Sequence, residues 1–486
     1  MSVSALKENL MKGAGDLSSR RALKVLGELA AARGLQVYLV GGTVRELALG
    51  RSAPDLDLAV SAQTLDLARD LAAALKGTFV LLDEKERTAR VVWQEEILDL
   101  AEFRAPTLEG DLRGRDFTLN ALALELAAIL KGRPLILSDP CGGLADLSRG
   151  LLRMVAPENF KGDPLRLLRA YRFAATHGFT ITPETTAAIR AQVPEFSRVA
   201  GERVHQELFL LLGAPRAAPV LKDMDQVDLL TRIFPELLDS KGVDQNGFHH
   251  LDVFSHSLET VACLEEVLAA PGNFFGELAP QLARYAKSRS KAALLKLAAL
   301  FHDVGKPQVR ERRQDPHRYT FYYHERVGLE LFDGLALRLR FSQAEVKTVT
   351  TLISLHMRPF LLLPAFRQGE LSLRALGRLV RAARPELPGL FALAMADSLA
   401  GQGPQKPPDS EAVLADLAEA AYRFLKERLE PQERMPKLLT GHDLITILGL
   451  KPGPQFRRLL TAVTEAQWEG LVHTREEALE LVRRLL

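Results

Sequence analysis

Tyr38-Leu39-Val40-Gly41-Gly42-Thr43-Val44-Arg45, followed by Asp55-Leu56-Asp57, is the stretch that decides the fold. A short β-rich run ends at Val40, and two glycines then open a helical run. Glycine lets backbone N–H groups approach a phosphate closely, and a helix N-terminus adds favourable positive potential. In a strand, residues two apart share a face, so Asp55 and Asp57 can meet the same metal pair. Oxygen donors suit Mg2+, which keeps waters and is completed by substrate phosphates. Two such ions about 4 Å apart can activate an attacking hydroxyl and stabilise a leaving pyrophosphate. Alone, Gly-Gly is most often a tight turn and Asp-x-Asp a solvated strand edge. Here the pair is set among Leu56, Leu58 and Val60, and a third carboxylate, Asp99, sits in the apolar run Ile97–Leu100. Three acids and a glycine turn on one small sheet point to nucleotidyl transfer.

Working outward, β-rich runs fall at Gln36–Val40, Leu56–Val60, Thr78–Leu82, Arg90–Trp93 and Ile97–Leu100, with helical stretches at Val44–Leu49 and Thr64–Leu75. That alternation predicts a compact α/β domain. Upstream, the first 33 residues read as one helix capped near Ser18 or Ser19. Beyond about residue 150 the pattern is helical, apart from a hairpin near Tyr319–Tyr323. Gly and Pro break it at Gly242–Gly247 and most clearly at Gly401–Ser410. The 486 residues suffice for roughly three domains. A net charge of +2, with 47% hydrophobic and 26% charged residues, excludes a disordered or collagen-like chain. Nucleic-acid binding stays open, because a local basic groove can be offset by acids elsewhere. Two cysteines, Cys141 and Cys263, cannot make a Cys-ligated zinc site or a disulfide framework. With no apolar run of about 18 residues and no signal-peptide pattern, the expectation is a cytoplasmic protein without a membrane partner.

Three further signatures follow the first: Arg113-Gly114-Arg115-Asp116-Phe117-Thr118-Leu119-Asn120-Ala121-Leu122; Asp139-Pro140 through Gly142-Gly143-Leu144 to Asp146-Leu147; and Asp163-Pro164-Leu165-Arg166-Leu167-Leu168-Arg169-Ala170-Tyr171-Arg172-Phe173-Ala174. In that order and spacing, over residues 37 to 180, the chain resembles the class II tRNA nucleotidyltransferases and bacterial poly(A) polymerases. The resemblance implies an α/β head of polymerase-β nucleotidyltransferase type followed by all-α neck, HD and C-terminal helical domains. Asp55 and Asp57 would hold catalytic Mg2+, with Asp99 the third head carboxylate. Gly41, Gly42 and Arg45 would face the triphosphate, and Arg115, Asp116 and Asn120 the ribose and phosphates. Asp163 and Arg166, with Arg169 and Arg172 on the same helix, would read the base of ATP or CTP. A carboxylate accepts from the exocyclic amine that C and A share, while arginine donates to a ring nitrogen or carbonyl. G and U would leave buried groups unpaired, at roughly 1–3 kcal/mol each. The chain departs from the family pattern at Gly162, where the family usually has Glu, and at Gly114, where arginine is more usual.

A second constellation lies downstream. His302-Asp303 ends an apolar helical run, with His256 upstream and His324, His356 and Asp397 downstream. Histidines and carboxylates from neighbouring helices can share an ion. The order resembles the HD phosphohydrolase domain, which implies His256, His302, Asp303 and Asp397 as ligands. His324 and His356 resemble the additional ligands of two-metal versions. The ion would be a divalent transition metal (Ni, Mn, Co or Fe class) or Mg2+, serving a metal-dependent phosphohydrolase. Lys306 is either a phosphate contact or a solvated lysine; His249 and His250 match no role.

The tail from Leu439 to Pro454 resembles that of HD-containing members; His442-Asp443 there is either a second metal pair or, with Thr440 before it, a helix cap and turn, the more usual reading. Lys451, Arg457 and Arg458, and Arg374, Arg378 and Arg381 at helical spacing, are candidates for tRNA phosphates or for a solvated face. The expected layout is an N-terminal helix (1–33), a nucleotidyltransferase head (34–150), a neck for base selection and RNA (151–245), an HD domain (246–400) and a C-terminal tRNA-binding domain (411–486). The leading expectation is addition of CCA to tRNA from CTP and ATP. An A-adding enzyme or poly(A) polymerase is the close alternative, and an HD phosphohydrolase with a docking head the distant one. Asp83–Arg90 is a candidate flexible loop for switching nucleotide choice.

Overall fold

A mixed sheet of seven strands in the order β3-β4-β5-β2-β1-β6-β7 carries the glycine turn and the Asp pair. The structure is a computed structural model and describes residues 1–53, 55–312, 319–434 and 436–486. Its strands are β1 (Val37–Val40), β2 (Asp55–Val60), β3 (Thr78–Asp83), β4 (Thr88–Trp93), β5 (Glu96–Glu102), β6 (Ala123–Glu125) and β7 (Leu137–Ser138). The five expected runs are all strands. β6 and β7, too short to show an alternation, extend the other edge. β2 pairs antiparallel with β1 but parallel with β5, which sets Asp57 directly opposite Asp99. A parallel pair needs a crossover, supplied by α4 (Thr64–Leu75) and the β3–β4 hairpin. α4 buries Leu67, Ala68, Leu71 and Leu75 on one stripe, and each leucine contributes about 2 kcal/mol.

The first 33 residues form two helices, α1 (Val3–Ser18) and α2 (Arg21–Ala32), rather than one. Ser18 and Ser19 do not cap α2. Their hydroxyls donate back to the carbonyls of Gly15 and Asp16, and Arg20 is extended. Within Asp83–Arg90, residues 84–87 form a hairpin turn between β3 and β4: the Asp83 carboxylate accepts from the Lys85 and Glu86 N–H groups (2.8 and 3.0 Å). Ion pairs from Arg104 to Glu86 and from Arg87 to Glu102 hold it to the sheet.

The chain divides into two compact units. The first comprises 1–199 with 226–232, the second 200–225 with 233–486, so the stretch expected as a neck is shared between them. In the first unit, α3 (Gly41–Ala48) follows β1 and α5 (Leu165–His177) carries the fourth signature. The second unit is built on α6 (Val253–Ala269), α7 (Arg289–Phe301), α8 (His324–Arg338), α9 (Gln343–Leu355), α10 (Leu373–Ala383), α11 (Leu387–Ala400) and α12 (Pro454–Trp468). α7 is buried continuously from Ala293 to Phe301, and α11 along most of its length. A helix apolar all round has no solvent face, so Asp397 on α11 must find partners inside. The expected hairpin pairs Glu311–Arg312 with Tyr319–Thr320, and Tyr322 and Tyr323 lie beyond it.

The two breaks in the helical pattern, at Gly242–Gly247 and Gly401–Ser410, are structured. They pack on each other, Gly403 N–H donating to Phe248 O and Gln405 N–H to Gly247 O, each at 2.9 Å. A Cβ on Gly403 would lie 2.3 Å from Gly247 O, so glycine permits this approach.

Candidate functional site

In the first unit the glycine turn and the Asp pair meet as expected. Gly41 has φ +58°, and a Cβ there would lie 3.0 Å from Arg115 Nη1; one on Gly42 would lie 2.8 Å from Asp57 Oδ2. The Gly42 and Thr43 N–H groups donate to the Asp57 carboxylate, while Thr43 Oγ1 accepts the Asp57 N–H at 2.6 Å. Asp55 is exposed and Asp57 half-buried on the same strand face. Burial, with Asp99 alongside, holds the Asp57 carboxyl above its ordinary value despite Arg115. Crowded carboxylates with an all-oxygen donor set fit a divalent hard cation. Asp99 is less open than the sequence suggests, because Arg90 takes both its oxygens at 2.7 and 2.8 Å.

The second signature folds against this turn. Asp116 is fully buried and accepts from Asn120 Nδ2 (2.9 Å) and from Arg169 (3.1 Å). Burial alone would raise this carboxyl; Arg169, Asn120 and Arg166 outweigh it and hold Asp116 below the usual carboxylate range. Asn120 in turn accepts from Arg45, and Arg115 pairs with buried Asp111 at 3.1 Å. Asp111, four residues before Arg115, is a supporting residue that i,i+4 spacing could have revealed.

α5 presents positions 166, 169, 173 and 177 to the head along one stripe, a spacing one helix face allows. Arg166 Nη1 donates to the carbonyls of Gly114 (3.0 Å) and Asn159 (3.2 Å). Arg166 therefore has backbone support where Glu is absent at 162, and a side chain at Gly162 would meet open space. Asp163 ends the preceding helix and accepts from the Leu165 N–H at 3.3 Å. The Phe173 ring lies under the guanidinium groups of Arg45 (4.8 Å) and Arg172 (3.8 Å). Two further residues complete the stripe. His177 Nε2 meets Glu46 Oε1 at 3.0 Å, and Glu46 holds Arg45 at 2.9 Å. Although burial opposes it, His177 and Arg45 bring the Glu46 carboxyl down to about 2. Neither Glu46 nor His177 belongs to a quoted motif as a site residue; only the shared face of α5 signals His177.

In the second unit the six HD residues converge. His256 Nε2 is 3.0 Å from Asp397 Oδ1, and His302 Nε2 is 3.2 Å from Asp303 Oδ2. On the other side, His324 and His356 Nε2 lie 3.3 and 3.6 Å from Asp303 Oδ1. Asp303 thus stands between two donor groups, His256 and His302 with Asp397, and His324 with His356. His302, His324 and His356 each place Nδ1 at 2.7–2.8 Å from the carbonyl three residues earlier. A carbonyl can only accept, so each Nδ1 carries a proton, and Nε2 is the nitrogen each ring turns to the cluster. His324 and His356 Nε2 then face each other at 3.0 Å, and buried His302 Nε2 has Asp303 Oδ2 at 3.2 Å but no well-directed hydrogen bond among the described residues. A cation between these donors resolves both features, so the residues fit the metal the sequence implies. Burial pushes His356 down, and Asp303 is held well below its ordinary value because His302 and Lys306 outweigh its burial.

Lys306 is not solvated. It is 6% exposed and bonds Asp303 Oδ2 (2.5 Å) and Gln245 Oε1 (2.7 Å). His249, without a role in the sequence, packs on His256, and burial with Lys306 and His256 brings it down to about 3. A cleft of about 550 Å3 leads to Asp303, Lys306 and His324.

Two other stretches named in the sequence take part in packing. Thr440 and Asp443 form a reciprocal capping box, so His442-Asp443 marks a helix start. Arg374 and Arg378 pair with Glu465 and Glu469, fastening α10 to α12. Arg381, Lys451, Arg457 and Arg458 are exposed.

Against known families, residues 37–153 match the Poly A polymerase head domain, 178–240 the probable RNA and SrmB-binding site of polymerase A, and 253–420 the HD domain. The A-adding tRNA nucleotidyltransferase of Deinococcus radiodurans is 37% identical over 456 residues, covering 92% of this chain and 94% of that one. The CC-adding tRNA nucleotidyltransferase of Thermus thermophilus is 36% identical over 449 residues, 91% and 92% of the two chains. A solved CCA-adding enzyme in complex with CTP shares the fold at TM-score 0.64 and 20% identity, over 98% of both chains. The Thermotoga maritima CCA-adding enzyme complexed with tRNA does so at 0.60 and 22%, over 96% and 95%. With relatives this similar along nine-tenths of its length, and the head, RNA-binding and HD models matched in order, the chain is a nucleotidyltransferase enzyme belonging to the tRNA nucleotidyltransferase and bacterial poly(A) polymerase family.

Proposed function

We propose that the protein adds C and A to the 3′ end of tRNA from CTP and ATP without a nucleic-acid template. The observation that carries this reading is Asp57, held by the Gly42 and Thr43 N–H groups beside Arg115 and opposite Asp99. Asp55 and Asp57 would hold Mg2+, which when bound supplies Lewis-acid activation of a hydroxyl and of a phosphate. The 3′-hydroxyl oxygen bonds to the α-phosphorus and releases its proton to solvent, as the bond to the bridging oxygen breaks and pyrophosphate leaves. Arg115 and the Gly41–Gly42 turn orient the triphosphate. Asp116, Asn120 and Arg45 contact the ribose and phosphates, with Arg169 and Arg172 alongside. Asp163 and Arg166 choose the base, Arg166 pre-oriented by its two carbonyl contacts. The HD cluster is the centre of a separate metal-dependent phosphohydrolase.

A second reading, addition of A alone, is favoured by the Deinococcus radiodurans relative, which is itself named A-adding. Three transcripts separate the two: a tRNA without CCA, one ending in C and one ending in CC, each with CTP, ATP or both. CC followed by one A identifies a complete CCA enzyme. A on the CC-ended transcript alone identifies an A-adding one, and no incorporation on any transcript rejects both.

A further inference from the structure

His249 lies outside every ligand set described above, four residues before the segment matched by the HD model. The fold nevertheless sets it against the centre. Its ring meets that of His256 edge-on, with centroids 4.5 Å apart. A ring nitrogen of His249, one of His256 and a carboxylate oxygen of Asp397 all lie within 4.8 Å of one another. His249 Nδ1 is buried without a hydrogen-bond partner among the described residues. A buried polar atom left unmatched is costly, so this nitrogen is available to a partner from outside the chain. The approach exists: His249 lines both the cleft of about 550 Å3 and an adjoining one of about 440 Å3, and Asp397 lines both as well. The segment is also held firmly. His249 N–H donates to Asn246 O (3.1 Å), and the hydrogen bonds from Gly403 and Gln405 to Phe248 and Gly247 tie it to the loop that follows α11, the helix bearing Asp397.

We propose that His249 is a further metal ligand of the HD centre, sharing one divalent cation with His256 and Asp397. This rests on reading the HD cluster as a metal centre. Two imidazoles and a carboxylate suit a transition metal, whereas Mg2+ prefers a shell of oxygens, so His249 biases this side of the centre against Mg2+. Its neighbour His250 is exposed and serves as the matched control.

The test is titration of the metal-stripped full-length protein with Co2+, following its d–d absorption and the bound stoichiometry, for wild type, His249→Ala, His250→Ala and Asp303→Ala. Loss of a partner that only orients a ligand already costs 10–100-fold in affinity. His249→Ala should therefore weaken Co2+ binding at least about tenfold and change the band, while His250→Ala titrates as wild type. His249→Ala titrating like wild type in affinity and spectrum overturns the proposal and leaves the metal centre standing. Wild type that takes up no Co2+ overturns both. Metal-free melting of each variant controls for folding, and His249→Gln replaces the alanine variant if that one melts early.

Discussion

Gly42→Ala is a small perturbation aimed at one carboxylate. The added Cβ would lie 2.8 Å from Asp57 Oδ2, where ordinary contact begins near 3.4 Å. The carboxylate must therefore retreat by about 0.6 Å, the difference between those two distances. It cannot do so freely, because the Asp57 N–H is bonded to Thr43 and its oxygens receive two backbone donors. Gly42 lies outside the left-handed region, so the substitution adds no backbone strain and stability should stay within about 1 kcal/mol. A 1 Å misplacement of a reacting group can cost about 100-fold; 0.6 Å should cost roughly 10–50-fold, or about 1.4–2.3 kcal/mol in the barrier. The assay is single-turnover incorporation of one nucleotide on a CC-ended transcript, with the thermal midpoint measured in parallel. An unchanged rate in a stably folded variant refutes the placement of Asp57 at the reacting centre. Gly41→Ala differs, since its φ of +58° adds strain, and it should lose about 1–2 kcal/mol of stability as well.

Other consequences are equally specific. Arg166→Ala leaves the Gly114 and Asn159 carbonyls without their donor; it should destabilise by about 1–3 kcal/mol and admit GTP or UTP, and Arg166→Lys should restore neither fully because it lacks the planar fork. Acid stability should depend on Glu46. Its folded carboxyl sits at about 2 against an ordinary 4.5, so its stabilisation is complete above 4.5 and lost as pH falls towards 2. Acid-unfolding curves for wild type and Glu46→Gln should diverge above that window and converge within it, and parallel curves would contradict the pairing with His177. Glu465→Gln, which weakens the pairing of a 3% exposed carboxylate with Arg374 and Arg378, should cost about 1–2 kcal/mol once the exposure of both arginines is discounted. Incorporation at temperatures below its melting point should be unaffected. Stripping metals and restoring only Mg2+ should recover incorporation but not hydrolysis, because the head offers oxygens and the HD cluster mostly imidazoles; recovery of both would contradict the separate donor sets.

The strands carrying the site were legible because Tyr38–Val40 and Leu56–Val60 are short apolar runs bounded by glycine, Pro or Ser. Asp55 and Asp57 were legible because a period of two admits one geometry. The head's supports were harder to see. Asp111, Glu46 and His177 act through residues distant in sequence, and nothing at position 177 announces a partner at 46 until α5 is laid along the head. The arginines Arg374 and Arg378 are a further case: helical spacing puts them on one stripe, but their ion-pair partners Glu465 and Glu469 lie about ninety residues on and are visible only in the fold. The HD residues were readable by order, whereas the protonation pattern of His302, His324 and His356 depends on carbonyls that only the helix ends bring into place. His249 was unreadable because Asp397 is distant in sequence and its segment is tied to the loop after α11 by Gly403 and Gln405, in a stretch whose composition resembles a linker.

Nucleotide incorporation by Asp57→Asn and Asp303→Asn, assayed side by side on a CC-ended transcript with ATP and Mg2+, tests the central claim most directly. Asp57→Asn should lose incorporation while Asp303→Asn retains it at the wild-type rate. Retention by Asp57→Asn, or loss in a folded Asp303→Asn, would contradict the assignment of nucleotidyl transfer to the head.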